Sequence, residues 1–248
     1  MSDYSIELAP SELGTKEHWD NVYSSELSNF EEIGDEGEIW FGEDSVEKMV
    51  KWAMGNVPPE TAPFVLEVGA GNGNLLFALR KAGYAADRIC GVDYSEDAVK
   101  LAQAIATSRE HADEADGDAR GTDAIHFAVC DFLREDVPLL RDMPSQHEGP
   151  AIWDLVLDKG TFDAMALAGK DQNGISLAES YPTRVERVVK PGGFFLITSC
   201  NFTEEELKSK FTIPETRLRY HSTISFPTFS FGGKSGNVYS SVAFEKAD

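Results

Sequence analysis

The chain has 248 residues, a hydrophobic content of 42% and a formal net charge of −21. That length suits one large α/β domain with a substantial core, and no apolar run approaches the roughly 20 residues that span a bilayer. A surface this acidic repels a phosphate backbone and attracts basic partners, so a direct nucleic-acid partner is disfavoured and a basic protein is favoured.

The N-terminus has neither a basic leader nor an apolar signal core. Cys90, Cys130 and Cys200 are widely spaced and lack the pairing of a zinc site. Reduced thiols, no metal and a cytoplasmic setting are expected. Residues 1–60 read as a helical and loop-like cap within the one domain. Thr15 starts a helix that carries Trp19, Val22 and Tyr23 on one face. Ile39, Trp40 and Phe41 lie between Gly37 and Gly42, in a loop suited to fold over a ligand. A second helix starts at Asp44 or Ser45, with Val46, Met49, Val50 and Ala53 turned inward.

From residue 64 strands and helices alternate. Strands are predicted over 64–68, 89–92, 125–129, 153–157 and 194–199. Helices are predicted over 75–82, 96–108 and 177–189. This alternation predicts a doubly wound, mostly parallel sheet, Rossmann-like in plan. Segments 217–231 and 238–245 alternate side chains about a glycine-rich turn at 232–237, which predicts a C-terminal antiparallel hairpin closing the sheet. Between these elements, 107–124 is acidic and poor in apolar residues, and reads as a flexible insertion.

The sites lie at the ends of these strands, where open α/β sheets bind ligands. The first strand runs into Glu67-Val68-Gly69-Ala70-Gly71-Asn72-Gly73, and the second ends in Asp93. Glycines let a backbone pass close under a ligand, and an acid ending the second strand binds ribose hydroxyls. A dinucleotide fingerprint places its third glycine at position 74, which is Asn74 here. Glu67 would repel a pyrophosphate but pair with an ammonium. The pattern therefore favours S-adenosylmethionine, and E-x-G-x-G-x-G resembles motif I of the seven-strand methyltransferases. Gly69, Gly71 and Gly73 would underlie its methionine portion, with Glu67 near the ammonium. Asp93 would hold the ribose, with Tyr94 and Ser95 along the adenosine. After the third strand, Asp131 would accept from the adenine amine and Phe132 would flank the ring. After the fourth, Asp158 and Lys159 would face the methyl acceptor, as the catalytic pair. Trp40 would close over the cofactor. Trp19, Tyr23, Phe41, Tyr181, Phe226, Phe229 and Phe231 are further aromatics expected near the mouth. The Pro-Pro-aromatic motif of adenine-methylating enzymes is absent after Asp158. From these residues alone the acceptor is still open, since a small metabolite, or a binding module without catalysis, fits them too.

The segments Leu13-Gly14-Thr15-Lys16-Glu17-His18-Trp19-Asp20, Gly37-Glu38-Ile39-Trp40-Phe41-Gly42 and Asp158-Lys159-Gly160-Thr161-Phe162-Asp163 narrow this. With motif I, they resemble the protein-lysine methyltransferases that modify translation elongation factor 1-alpha, the small fungal and animal type. The resemblance implies a protein substrate, that basic factor; separately, the chain is expected to act as a monomer away from membranes. Transfer would be a direct in-line displacement, with Asp158 orienting the amine or the cofactor.

Overall fold

Thr15 accepts a hydrogen bond from the His18 amide and so caps α1 (Lys16–Ile33), which stops at Gly34 in a left-handed turn. Helix α2 (Gly42–Asn56) buries Val46, Met49, Val50 and Ala53. The computed structural model describes residues 8–115, 124–140, 143, 152–170, 172, 174–226, 228–231 and 234–248. After α2 come β1 (Val65–Val68), α3 (Asn74–Lys81), β2 (Ile89–Asp93), α4 (Glu96–Ala115) and β3 (His126–Val129). Then follow β4 (Trp153–Lys159), α5 (Thr161–Ala166), α6 (Leu177–Val188), β5 (Val189–Ser199) and α7 (Glu204–Phe211). The chain closes with β6 (Leu218–Ile224), β7 (Thr228–Phe231), β8 (Lys234–Asn237) and β9 (Ser240–Lys246).

Seven strands form one sheet in the order β3-β2-β1-β4-β5-β9-β6. The first five are parallel, and β9 runs antiparallel to both β5 and β6. The expected Rossmann-like sheet with an antiparallel end is what forms. Alternation along each strand divides the core. Val65, Leu155, Leu157 and Leu196 face α2, α3 and α4, whereas Leu66, Val68, Val156 and Ile197 face α5, α6 and α7. On the second side Phe211 is fully buried, with its ring 5.1 Å from those of Phe162 and Phe195 and 5.3 Å from that of Phe244. Phe211→Ala should cost about 3–5 kcal/mol by chemical denaturation, because it empties the centre of this cluster.

Two expectations need correction. The acidic segment from 107 is not irregular throughout, since α4 continues to Ala115. Alanine, glutamate and arginine are strong helix formers, and Arg109 lies over the Phe77 ring at 4.5 Å while donating to Glu36 at 3.0 Å. Residues 116–123 lie outside the described residues. At the C-terminus the expected hairpin is split. Strand β6 pairs with β9 in the main sheet, while β7 and β8 pair with each other in a separate two-stranded sheet that takes up 234–237 of the expected turn. Among the described residues no helix is long and apolar enough to cross a membrane.

Candidate functional site

At the C-terminal ends of the parallel strands, β1 breaks into the glycine loop. The Gly69 and Ala70 amides donate to the Val92 carbonyl at 2.8 and 3.0 Å, which folds the loop against β2. Gly69 and Gly71 have φ of +68° and +53°, in the left-handed region that favours glycine. A side chain at Gly69 would strike Thr161 Oγ1, and one at Gly71 would strike the Tyr23 hydroxyl. Both glycines line a cleft of about 980 Å³, counting the space open to solvent. Gly73 does not line it. A side chain there would meet Phe127 and Phe77, so this glycine serves the packing of α3.

Asp93 also lines the cleft, although little of it is exposed. Its carboxylate accepts from the Gly71 amide at 3.0 Å and the Ser95 amide at 2.9 Å. Burial pushes its pKa up to about 6, against these two hydrogen bonds and the pull of Lys16. Tyr94 lines the cleft beside it, with the Lys16 ammonium 5.2 Å from the ring centre. Ser95 is buried outside the lining, and its hydroxyl has no partner among the described residues.

Glu67 is buried on β1 next to Val68 and lies outside the cleft lining. One of its carboxylate oxygens, Oε2, has no hydrogen-bond partner among the described residues. Burial raises its pKa to about 8, opposed by Lys159 and reinforced by Asp158 and Asp93. Lys159 lines the cleft and donates to the Trp40 carbonyl at 3.2 Å. Burial lowers its pKa, while Glu67 and Asp158 act to raise it. Sheet register explains the association. Glu67 pairs with Leu157, and Lys159 stands two residues further along β4, so both project from the same face.

Asp158 projects from the other face, and this corrects its expected place beside the acceptor. The left-handed turn at Gly160 brings the start of α5 back onto Asp158. Its carboxylate accepts from the Thr161 and Phe162 amides at 2.9 and 3.0 Å and from the Tyr181 hydroxyl at 2.5 Å. It is fully buried and outside the cleft lining. Burial pushes its pKa up to about 7, with the Tyr181 hydrogen bond opposing the rise. Tyr181→Phe should therefore destabilise the protein by about 1–3 kcal/mol at pH 8, where Asp158 is ionised. At pH 6, where Asp158 is protonated, the loss should be smaller. Denaturant titrations at the two pH values measure this difference.

Asp131 and Phe132 line the other side of the cleft. Asp131 also accepts from the Leu133 amide at 3.1 Å and from Arg134 at 2.8 Å. Phe132 packs at 5.6 Å from the Tyr181 ring. The cap closes the cleft with Trp19, Tyr23, Glu38 and Trp40. Trp19 and Trp40 meet edge to face at 4.8 Å. Asn72 Nδ2 donates to the Glu36 and Glu38 carbonyls at 2.9 and 3.3 Å, tying the cap loop to the glycine loop.

Of the other aromatics expected at the mouth, Tyr181 and Phe226 are buried away from the cleft, and Phe41 caps α2. The side chains of Phe229 and Phe231 lie outside the described residues. Thr161, Asn72, Met165 and Leu177 line the cleft without having been singled out from the sequence. Thr161 carried a signal as part of the Asp-Lys-Gly-Thr run, and Asn72 as part of the glycine loop.

Comparison with known proteins identifies the family. The family described as "Methyltransferase domain" matches residues 62–241. Protein-lysine N-methyltransferase efm4 of Schizosaccharomyces pombe is 40% identical over 96% of this chain and 95% of its own. Human EEF1A lysine methyltransferase 2 is 40% identical over 96% and 89%. EFM4 of Saccharomyces cerevisiae is 38% identical over 98% of each chain. Two solved structures share the fold. One is a Burkholderia thailandensis N1-methyltransferase with S-adenosylhomocysteine, with a TM-score of 0.55, 18% identity and coverage of 97% of this chain and 93% of its own. The other is NodS of Bradyrhizobium japonicum, also with S-adenosylhomocysteine, with a TM-score of 0.56, 13% identity and coverage of 93% and 99%. Near-complete coverage by relatives at this identity, on a sheet whose strand ends carry the glycine loop and its acids, places the chain in the family of protein-lysine N-methyltransferases to which efm4 and EEF1A lysine methyltransferase 2 belong.

Proposed function

We propose that this chain transfers a methyl group from S-adenosylmethionine to a lysine side chain of translation elongation factor 1-alpha. The observation that carries the reading is the 40% identity, over 96% of the chain, to relatives named for lysine methylation and for EEF1A. The cleft fits the donor on independent grounds. Side chains at Gly69 and Gly71 would collide with neighbouring groups beside it, and Glu67 keeps a buried carboxylate oxygen without a partner.

When bound, S-adenosylmethionine supplies an electrophilic methyl group on a sulfonium centre. Asp93 would accept from the ribose hydroxyls, with Tyr94 and Phe132 flanking the adenosine and Asp131 accepting from the adenine amine. Glu67 would counter the ammonium. Asp158 acts as a positioning residue, since its carboxylate holds the start of α5 and with it Thr161, whose hydroxyl donates to the Val68 carbonyl at 2.7 Å.

The acceptor lysine must arrive neutral, which costs roughly 4–5 kcal/mol at pH 7 from a pKa near 10.4. The walls formed by Trp19, Tyr23 and Trp40 exclude water and disfavour the ammonium. The rate then rests mainly on alignment. The net charge of −21 suits a basic protein partner, which the enzyme would meet in the cytoplasm as a monomer.

Incubation with tritiated S-adenosylmethionine and methyltransferase-deficient cell extract tests this. One labelled band at the mass of the elongation factor, lost with Asp93→Ala, is expected. Label appearing only in a small molecule would reject the reading.

A further inference from the structure

Register sets Asp93 on β2 and Lys159 on β4 at one level on either side of β1, with Glu67 of β1 on the same face two residues lower. If Asp93 takes the ribose, the far end of the donor lies over β1 and β4. That end is an α-amino acid, whose ammonium and carboxylate hang from a single carbon. Groups that read both charges must therefore be neighbours of opposite sign. Lys159 lines the cleft, and Glu67, buried outside the lining on the same sheet face, lends the opposite charge from two residues lower.

We propose that Lys159 binds the carboxylate of the donor's amino-acid end, so that Glu67 and Lys159 together select a zwitterion. This rests on the donor assignment made above. Lys159 lines the cleft, whereas Asp158 next to it does not. An ammonium has three protons to donate. The Trp40 carbonyl takes one, and the others are available to a carboxylate. The lysine is also partly buried, where a charge-assisted hydrogen bond is stronger than in open water. The Trp40 contact gives Lys159 a second task, because the lysine that reads the carboxylate also holds the cap loop closed.

Calorimetry with S-adenosylhomocysteine and its decarboxylated analogue, which keeps the ammonium, separates the two charges. The wild type should prefer S-adenosylhomocysteine by at least about tenfold, the scale of one charge-assisted hydrogen bond. Lys159→Met should bring the two ligands close to parity, and Lys159→Arg should keep most of the preference. A thermal melt of each variant checks that it is folded. Equal binding of both ligands by the wild type would overturn the assignment, as would an undiminished preference in folded Lys159→Met. Failure of the wild type to bind S-adenosylhomocysteine at all would overturn the donor reading as well, which distinguishes the two failures.

Discussion

Asp93→Asn should weaken S-adenosylhomocysteine binding by about 100-fold while leaving a cooperatively folded protein. The substitution is isosteric, so packing is kept. What changes is the direction of hydrogen bonding. Both Asp93 oxygens accept backbone amides, from Gly71 and from Ser95. An asparagine offers one accepting oxygen and an amide nitrogen that can only donate. One backbone N–H then faces another donor, and a buried donor without an acceptor costs about 1–3 kcal/mol. The affected amide belongs either to the glycine loop or to the turn into α4, and both shape the cleft. The ribose also loses the charge of its acceptor. The first loss is already present in the empty protein and lowers its stability, whereas the lost charged hydrogen bonding to the ribose is worth up to about 3 kcal/mol of binding, or about 100-fold. Calorimetry gives the affinity and circular dichroism the fold. A loss below about fivefold would remove Asp93 from the site.

Glu67→Gln should have opposite effects on stability and on binding. A carboxylate pushed up to about 8 holds its proton in the folded protein at a pH where the unfolded chain has released it. Wild-type stability from this group therefore falls as pH rises from the ordinary carboxylate range to about 8. The groups on the face of Glu67 that act on it are Lys159 of β4 and Asp93 of β2, with the Tyr23 hydroxyl from α1, and Asp158 acts on it from the opposite face of the sheet. Only Lys159 favours its ionisation. Glutamine has the same shape and no charge to bury, so the empty variant should melt a few degrees above wild type at pH 8 and close to it at pH 5. Ligand binding should move the other way. An ammonium requires the ionised Glu67, so affinity for S-adenosylhomocysteine should drop by at least about thirtyfold in the variant. In the wild type, affinity should climb with pH toward 8, and much of that slope should vanish in Glu67→Gln. What remains near pH 6 belongs to Asp93. A variant that is less stable at pH 8 and binds normally would refute both halves.

Much of this was legible in the sequence because the features are local. The glycine loop, Glu67 and Asp93 are set by spacing at strand ends, and Thr15 by its place before a helical face. The relation of Lys159 to Glu67 was legible in principle, since two residues along a strand restore the same face. Reading Asp158 and Lys159 as one catalytic pair overlooked that alternation. Other features are not local. Helix α5 has only six residues, too few to show a period. Helix α7 carries a capping box of Thr203 and Glu206, a signal that went unused. The reach of α4 to Ala115 was masked by judging the segment on charge rather than helix propensity. The insertion of β9 between β5 and β6 depends on strand pairing across the whole tail, which no local pattern encodes.

The alternation along β4 also bears on how such a protein can change over generations. Lys159 belongs to the layer that meets ligand, Asp158 to the layer of packed phenylalanines, and a sheet separates them. Away from Asp158 and Lys159 themselves, whose charges act on each other, substitutions confined to opposite layers lie far enough apart for their effects to sum. The cap can then drift toward new acceptors while the aromatic side accumulates the stability that such drift consumes. The exception is Thr161. Its amide is held by Asp158, its hydroxyl by the carbonyl of Val68, and its side chain touches the glycine loop. Changes at this threonine should show the strongest epistasis with both layers.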